Sequence, residues 1–230
     1  RRRNKEYRIS YQLVDASTGY NVLSDTISSG IDSLYDSESN ISKEIFAYFN
    51  ITPNLGIKTD DYYLDPKAYS YYLKGKHLAY LWTKETFGEA VMNYYKALEI
   101  VPDYALAYAG LSIGYTHGAI NKFGDSREFL KKAMDYADKA IHADDKIHEG
   151  YLAKALAAFW ADNWHVPVFE ENLKKALEIS PSNAEIRMFH GMLHVFKGNF
   201  KEAVIELKLA KILDPYSVTV IIRLGLVQYL

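Results

Sequence analysis

The feature that most constrains this chain is an internal repeat. An alanine stands five residues before a proline or an aspartate at four places, with intervals of 43, 36 and 34 residues between them: Ala97, Ala140, Ala176 and Ala210. A period of about 34 residues is typical of repeats built from two antiparallel helices. The excess in the first interval falls at 121–129, which contains Gly, Asp and Ser and is therefore a place where a loop tolerates insertion. The pattern predicts a stack of helical hairpins.

Small residues also mark the first helix of each predicted hairpin. They predict where two helices approach closely, with larger apolar residues filling the gaps between them. These residues are Gly75, Ser112, Ala155, Gly191 and Gly225.

The positions of proline and glycine indicate the same helix boundaries. Pro102, Pro181 and Pro215 follow the second helices, which proline cannot continue. Gly198, in the segment GNFKEA, predicts a tight turn between two helices because glycine adopts the left-handed backbone that ends a helix. We expect helices to begin at Asp65–Pro66, at Pro181–Ser182 and at Asp214–Pro215.

The first sixty residues have a different period. Residues 7–13 alternate apolar and polar, 15–19 supply turn residues, and 20–27 are predicted to form a second strand that pairs back, so we expect a β-hairpin. Residues 39–49 carry apolar side chains at helical spacing. Two strands and one helix bury too little surface to fold alone, so this segment is predicted to be the tail of a larger α/β domain.

Composition excludes several classes. The formal net charge is −2, from 27 basic and 29 acidic residues, which argues against a nucleic-acid binder. There is no cysteine, so disulfides and thiolate metal sites are excluded, and a cytoplasmic location is expected. Apolar runs are too short for membrane insertion, since a spanning helix needs about 20 residues. The chain begins at Arg1 and stops within a repeat, so we expect further sequence beyond it or a capping role for its last helix.

Two parts of the chain resemble known families. The segments AYSYYLKGKHLAYLWTKETFGEAVMNYYKALEIVPDYALAYAGLSIGY and LKKALEISPSNAEIRMFHGMLHVFKGNFKEAVIELKLAKILDPYSV resemble bacterial tetratricopeptide (TPR) repeats. ISYQLVDASTGYNVLSDTI and ESNISKEIFAYF resemble the end of a TolB-amino-terminal-like domain, although Leu23 stands where such proteins commonly carry tryptophan. In proteins of this kind the array follows a class III adenylate or guanylate cyclase domain, a winged-helix domain or a protein kinase domain.

The resemblance implies a mainly α fold. We expect a TPR superhelix of about four repeats plus a terminal helix, preceded by a small α/β fragment made of a β-hairpin and a helix. The predicted boundaries are 1–57 for the TolB-like part and 58–230 for the array. The repeats are expected at 66–102, 103–145, 146–181 and 182–215, with a partial repeat at 216–230.

No residue pattern points to catalysis, to a cofactor or to a metal. Among seven histidines, His190 and His194 have the i, i+4 spacing of two zinc ligands, but HGMLH lacks the glutamate of a zinc protease and a third ligand nearby. Both histidines also occupy packing positions of the repeat. We expect them to be structural.

A partner-binding groove is the favoured site. In a TPR superhelix the first helices line the concave face, and residues adjacent to the packing stripe project into it. The alternative is a tight superhelix in which the same residues pack together. The predicted groove consists of Tyr69, Tyr72, Lys76, Tyr80, Leu106, Ile113, His117, Leu152, Leu156, Phe159, Met188, Met192 and Phe196.

The expected partner is a protein or a peptide, because this surface is apolar and aromatic. It would take a partner helix, an extended segment or a second copy of the chain in a homodimer. The Lys and Asn pattern of chaperone-binding TPRs is absent. We expect a non-enzymatic interaction scaffold, the regulatory region of a bacterial signalling protein such as a nucleotide cyclase. The alternatives are the effector-sensing region of a transcription regulator, or an α/β ligand-binding or enzymatic domain completed by upstream sequence.

Overall fold

The chain forms two compact units, 1–70 and 71–230. Within its described part the fold is mainly helical with one small antiparallel sheet, so the predicted fold class is confirmed. The boundary predicted between residues 57 and 58 lies outside the described residues. A computed structural model of the chain describes residues 6–15, 18–30, 41, 44, 48, 65–79, 81, 83–161 and 166–229.

The first unit contains the predicted β-hairpin. Strand β1, Glu6–Val14, pairs antiparallel with β2, Asn21–Gly30. Gly19 closes the turn with φ +72°, a left-handed value that suits glycine, and its N–H donates to the Asp15 carbonyl at 2.8 Å. Of the helix predicted over 39–49, the described residues 41, 44 and 48 are helical, and the other residues lie outside the described set.

Nine helices follow in the part of the chain that the structure describes; α3/α4, α5/α6 and α7/α8 pair as hairpins, and α9 opens a further repeat. Helices consecutive along the chain from α2 to α9 contact one another, and the first helices α3 and α5 also touch directly. The helices are α1 Pro66–Ala79, α2 Lys84–Ile100, α3 Ala105–Ile120, α4 Ser126–Ala143, α5 His148–Trp160, α6 Val166–Ile179, α7 Ala184–Phe196, α8 Phe200–Leu213 and α9 Val218–Val227.

Four of the five predicted small residues are buried at helix contacts, whereas Gly225 has open space around an added Cβ; the four are Gly75, Ser112, Ala155 and Gly191. The four repeat alanines are each 0% exposed. A Cβ added at Gly75 would meet the Tyr94 ring at 2.8 Å, and one added at Gly110 would meet it at 2.5 Å. The buried Tyr94 ring of α2 is therefore held between α1 and α3. Gly191 on α7 faces Leu207 on α8 in the same way, with 2.9 Å from an added Cβ.

The turn between α7 and α8 confirms the prediction at Gly198. Its φ is +75°, its N–H donates to the Val195 carbonyl at 3.0 Å, and the Asn199 N–H donates to the His194 carbonyl at 2.9 Å. This pattern satisfies the last carbonyls of α7 and ends the helix.

Of the three predicted helix starts, one is confirmed and two are placed too early. Asp65 caps α1 as expected, since its carboxylate accepts the Lys67 N–H at 2.8 Å. Pro181, however, lies in a turn and Asp214 is the C-cap of α8, and the N-caps of the next helices stand two or three residues later. The Asn183 side chain accepts the Glu185 N–H at 2.9 Å, and Ser217 caps α9. Asparagine and serine side chains reach the free N–H groups of a first turn, which proline does not.

The insertion predicted at 121–129 is loop at 121–125 and helix at 126–129. Only 121–125 form the loop between α3 and α4, because Asp125 caps α4 by accepting the Glu128 N–H at 2.8 Å. Phe129 then packs its ring 5.5 Å from Phe87 and 5.3 Å from Tyr115, measured between centroids. The extra residues thus extend α4 and add an aromatic contact.

Candidate functional site

The predicted groove lies along the first helix of each repeat, on the face that the small residues define. The position one residue after Ser112, Ala155 or Gly191 recurs in α3, α5 and α7, as Ile113, Leu156 and Met192, and the other offsets of the predicted set are shared by at most two of these helices. Since the TPR arrangement places the first helices side by side, equivalent positions form rows across neighbouring repeats.

Part of the predicted groove is core. Tyr72, Leu152, Leu156 and Met188 are buried. Leu152 and Leu156 belong to the cluster that joins α5, α6 and α7, and the Tyr72 ring packs 5.4 Å from that of Tyr104. These side chains hold the repeats together and offer little surface to a partner.

The remaining described members are accessible to different degrees. Lys76 and Phe196 are exposed, while Leu106, Ile113, Phe159 and Met192 are half-buried. Tyr69 is half-buried in the first unit, and Tyr80 lies outside the described residues. His117 is also half-buried.

Phe159 and Phe196 form an aromatic edge between α5 and α7. Their ring centroids are 5.5 Å apart, and Phe159 is 5.1 Å from Phe169 on α6. Phe196 remains 43% exposed. These rings, with Val166 and Leu193, line a void of ≈ 10 Å³, about the volume that one water needs. The void is therefore too small for anything larger than a water molecule.

Met192 is in contact with a cationic side chain. The Arg223 guanidinium, on α9, donates from Nη1 to the Met192 thioether at 3.3 Å. Burial lowers the pKa of Arg223, so its charge sits in a partly desolvated environment. The last described helix therefore contributes to the same face as α7.

Two acids in the row were missed by the sequence reasoning. Glu149 and Glu185 each stand six residues before the small residue of their helix, the offset that Leu106 occupies on α3. The two acids are found when the residue at that offset is considered in every repeat, whether it is apolar or polar. Glu149 Oε2 lies 3.2 Å from His148 Nδ1.

Glu185 has a distinctive environment. Its side chain is exposed to solvent, yet desolvation by the surrounding protein raises its pKa, while the positive charge of Lys76 acts in the opposite direction. Lys76, on α1, and Glu185, on α7, are thus electrostatically coupled within the helical unit.

His117 contributes no charge at neutral pH. Burial lowers its pKa to about 4, so the imidazole is neutral under ordinary conditions. It acts there as an amphipathic ring on α3.

His190 and His194 have internal neighbours. His190 Nδ1 lies 3.3 Å from the Glu206 carboxylate, which also forms an ion pair with Arg187 at 2.9 Å. The two imidazole rings meet edge to face at 4.8 Å between centroids. The described residues contain no group of three His, Asp or Glu side chains placed to hold a metal. Through its contacts with His190 and Arg187, the Glu206 carboxylate links α8 to α7.

No known protein-family profile matches the chain. A curated relative, "Putative adenylate cyclase 3" of Rhizobium meliloti (strain 1021), is 25% identical over 164 residues. The match covers 70% of this chain and 28% of that protein, so the chain spans well under a third of the relative's length. None of the described helices combines the length and apolar character that a membrane span requires.

One solved structure identifies the fold. TTC0263, a thermophilic TPR protein in Thermus thermophilus, superimposes with a TM-score of 0.58 at 16% identity, over 87% of this chain and 98% of that chain. MamA protein gives a TM-score of 0.47 at 18% identity, over 71% of this chain and 81% of its own. The helical part of this chain has the fold of TPR proteins.

Proposed function

We propose that this chain is a protein-interaction scaffold whose first helices bind a peptide or helix with apolar side chains and a basic residue. The observation that carries the proposal is the pairing of an accessible apolar edge with the exposed carboxylate of Glu185, whose pKa is raised by desolvation. Phe196 and Met192 lie on the same helix, α7, as Glu185. A partner cation placed beside a partly desolvated carboxylate gains more Coulomb energy than one beside a fully solvated acid.

The apolar edge supplies the remaining binding energy. Covering Phe159, Met192 and Phe196 contributes up to ~1.5–3 kcal/mol for each side chain that becomes fully buried. Ordering the partner and losing its free motion offset part of this gain. Micromolar affinity, about −8 kcal/mol, is thus within reach of a short segment that also pairs with Glu185.

We propose further that the chain is the regulatory part of a bacterial signalling protein that includes a nucleotide cyclase domain, acting in the cytoplasm. The 25% identity to part of "Putative adenylate cyclase 3" of Rhizobium meliloti supports this proposal. The expected outcome is that the complete reading frame encodes the two metal-binding aspartates of a class III cyclase. A reading frame without a cyclase domain would remove this part of the proposal and leave the scaffold proposal standing.

Peptide selection tests the specificity of the groove. A phage-displayed library selected on this chain is expected to yield sequences with spaced apolar residues and at least one Lys or Arg. The Glu185→Gln variant should bind the selected peptide about tenfold more weakly, since it loses a charge pair worth about 1.4 kcal/mol. The matched control is Glu171→Gln, on the exposed face of α6, which should leave affinity unchanged. Equal effects of the two substitutions would contradict the assigned role of Glu185.

The apolar edge has its own test. Met192→Glu combined with Phe196→Glu should abolish binding of the selected peptide while circular dichroism shows unchanged helix content. The control is Met92→Glu, an exposed methionine on α2. Retention of binding in the double variant would show that the peptide docks elsewhere.

Affinity should also depend on pH. The pKa of Glu185 is raised, so its carboxylate becomes neutral at a higher pH than an ordinary glutamate. Binding of a basic peptide is therefore expected to weaken as the pH falls through that raised pKa, and to be strongest above it. Glu185→Gln should remove this dependence in fluorescence-polarisation titrations.

A further inference from the structure

The outer face of α8 carries an aliphatic stripe of Ile205, Leu209 and Ile212. These side chains are 58%, 38% and 73% exposed. Their spacing of four and three residues places them on one side of the helix, along about 10 Å of its length. This face lies on a second helix, whereas the groove discussed above is built from first helices.

The other repeats show what this position normally carries. Measured from the repeat alanine, the equivalents of the stripe residues are exposed in α2, α4 and α6 as well. In those helices they are mostly charged or polar. The equivalent triplets are Met92, Lys96 and Glu99; Asp135, Lys139 and His142; and Glu171, Lys175 and Glu178.

The stripe is not exposed merely because it lies in the last described hairpin. In α2, α4 and α6 a following repeat is present, and the three positions are still exposed. A further repeat stacked on α9 would therefore leave Ile205, Leu209 and Ile212 exposed too. By contrast, Gly225 on α9 has open space where Gly191 on α7 meets Leu207, which is the position that a further second helix would fill.

The charges beside the stripe indicate what covers it. Lys201, Lys208 and Lys211 are exposed on α8, and Glu202 is the one exposed acid among the described residues of that helix. The other acid of α8, Glu206, already pairs with Arg187 at 2.9 Å. Lys201 and Lys208 thus line one side of the stripe, and Glu202 lies on its other side. A second copy docked antiparallel on the stripe would bring the two lysine sides together, which like-charge repulsion disfavours.

We propose that the outer face of α8 is a second docking surface, which binds an amphipathic helix with aliphatic residues at three–four spacing and acidic flanks. The four–three spacing of the stripe matches the seam by which two helices pack side by side. Glutamate or aspartate beside the partner's seam pairs with Lys201 and Lys208. This surface is separate from the groove, so one chain holds two segments at once.

The test uses three synthetic helical peptides of about 21 residues, three heptads long. The first has leucine at the seam and glutamate beside it, the second replaces those glutamates with lysine, and the third has the composition of the first with its leucines scattered around the helix. The acidic seam peptide is expected to bind at least about tenfold more tightly than either of the others in fluorescence polarisation.

A matched variant copies another repeat onto α8. Ile205→Glu, Leu209→Lys and Ile212→Glu together reproduce the triplet Glu171, Lys175 and Glu178 of α6, which this fold already accommodates. The triple variant should lose binding of the acidic seam peptide at least about tenfold, with unchanged helix content and thermal midpoint. The groove variant Met192→Glu with Phe196→Glu should retain it, which distinguishes failure of this proposal from failure of the groove.

Three results would overturn the proposal. Equal binding of the acidic and basic peptides would remove the charge argument, and unchanged binding to the triple variant would place the peptide elsewhere. In sedimentation, a wild-type dimer that the triple variant converts to a monomer, without acidic-peptide binding, would identify a second copy as the occupant.

Discussion

At the scale of single residues, the packing of Tyr94 shows that the helix stack depends on two glycines, which carry no side chain. Its ring lies between the backbones of α1 and α3, and a hydrogen stands in place of a side chain at both Gly75 and Gly110. The nearest approaches from an added Cβ, 2.8 and 2.5 Å, are below any ordinary carbon–carbon contact. Because the ring is buried, it has no free space into which it could move.

Gly110→Ala is therefore expected to destabilise the protein by about 1–2 kcal/mol, since overpacking outweighs the better helix propensity of alanine. Gly114→Ala, in the same helix, meets no atom within 4 Å and should be neutral or stabilising by up to ~1 kcal/mol. Thermal unfolding followed by circular dichroism measures both. Tyr94→Leu should reduce the penalty of Gly110→Ala, and a penalty of equal size in both glycine variants would contradict the steric explanation.

At the scale of elements, the inter-helix turns separate what was predicted from what was not. Gly198 was predicted correctly, because a positive φ is nearly specific to glycine and the sequence shows that glycine directly. The helix starts near Pro181 and Pro215 were placed too early. Several adjacent polar residues could cap there, and which one reaches the first turn depends on the path of the backbone.

Gly198→Ala is expected to cost about 1 kcal/mol, entirely from backbone strain, since no atom lies within 4 Å of the added Cβ. Gly198→Asn should cost less, because asparagine tolerates the left-handed region better. Gly88→Ala, in helix α2 and also without a neighbour within 4 Å, should have the opposite sign. Thermal midpoints of the three variants test the ordering, and a stabilised Gly198→Ala would show that φ changes freely there.

At the scale of the whole molecule, stability in the helical unit is distributed along the stack. Contacts join each helix mainly to its neighbours, and separate apolar clusters lie at α5–α7 and at α7–α9. In such an arrangement each interface contributes locally, and an opening event in one repeat need not spread to distant ones.

Leu207→Ala should accordingly act locally. Leu207 is fully buried in the last cluster, so the substitution is expected to cost about 2–5 kcal/mol. Hydrogen exchange should quicken in α7, α8 and α9 much more than in α3 and α4. A uniform increase along the chain would indicate a single cooperative unit.

Only some residues of the candidate site could be predicted from the sequence. Apolar residues at the right offset, such as Met188 and Phe196, look alike in the sequence, yet one is buried and the other exposed. Glu185 was overlooked because an exposed acid on a helix is ordinary, and its raised pKa arises from protein brought around it by folding. Burial and desolvation depend on neighbours far along the chain, which a local pattern does not contain.

The sequence by itself determined the repeat, the β-hairpin and the places where helices touch, because spacing, small side chains and glycine turns are local properties that only a few backbone arrangements satisfy. Tertiary structure alone decided which first-helix residues remain accessible, how Lys76 acts on Glu185, and that the stripe on α8 is solvent-exposed. Those properties are set by packing between repeats, where residues distant in sequence exclude water from one another.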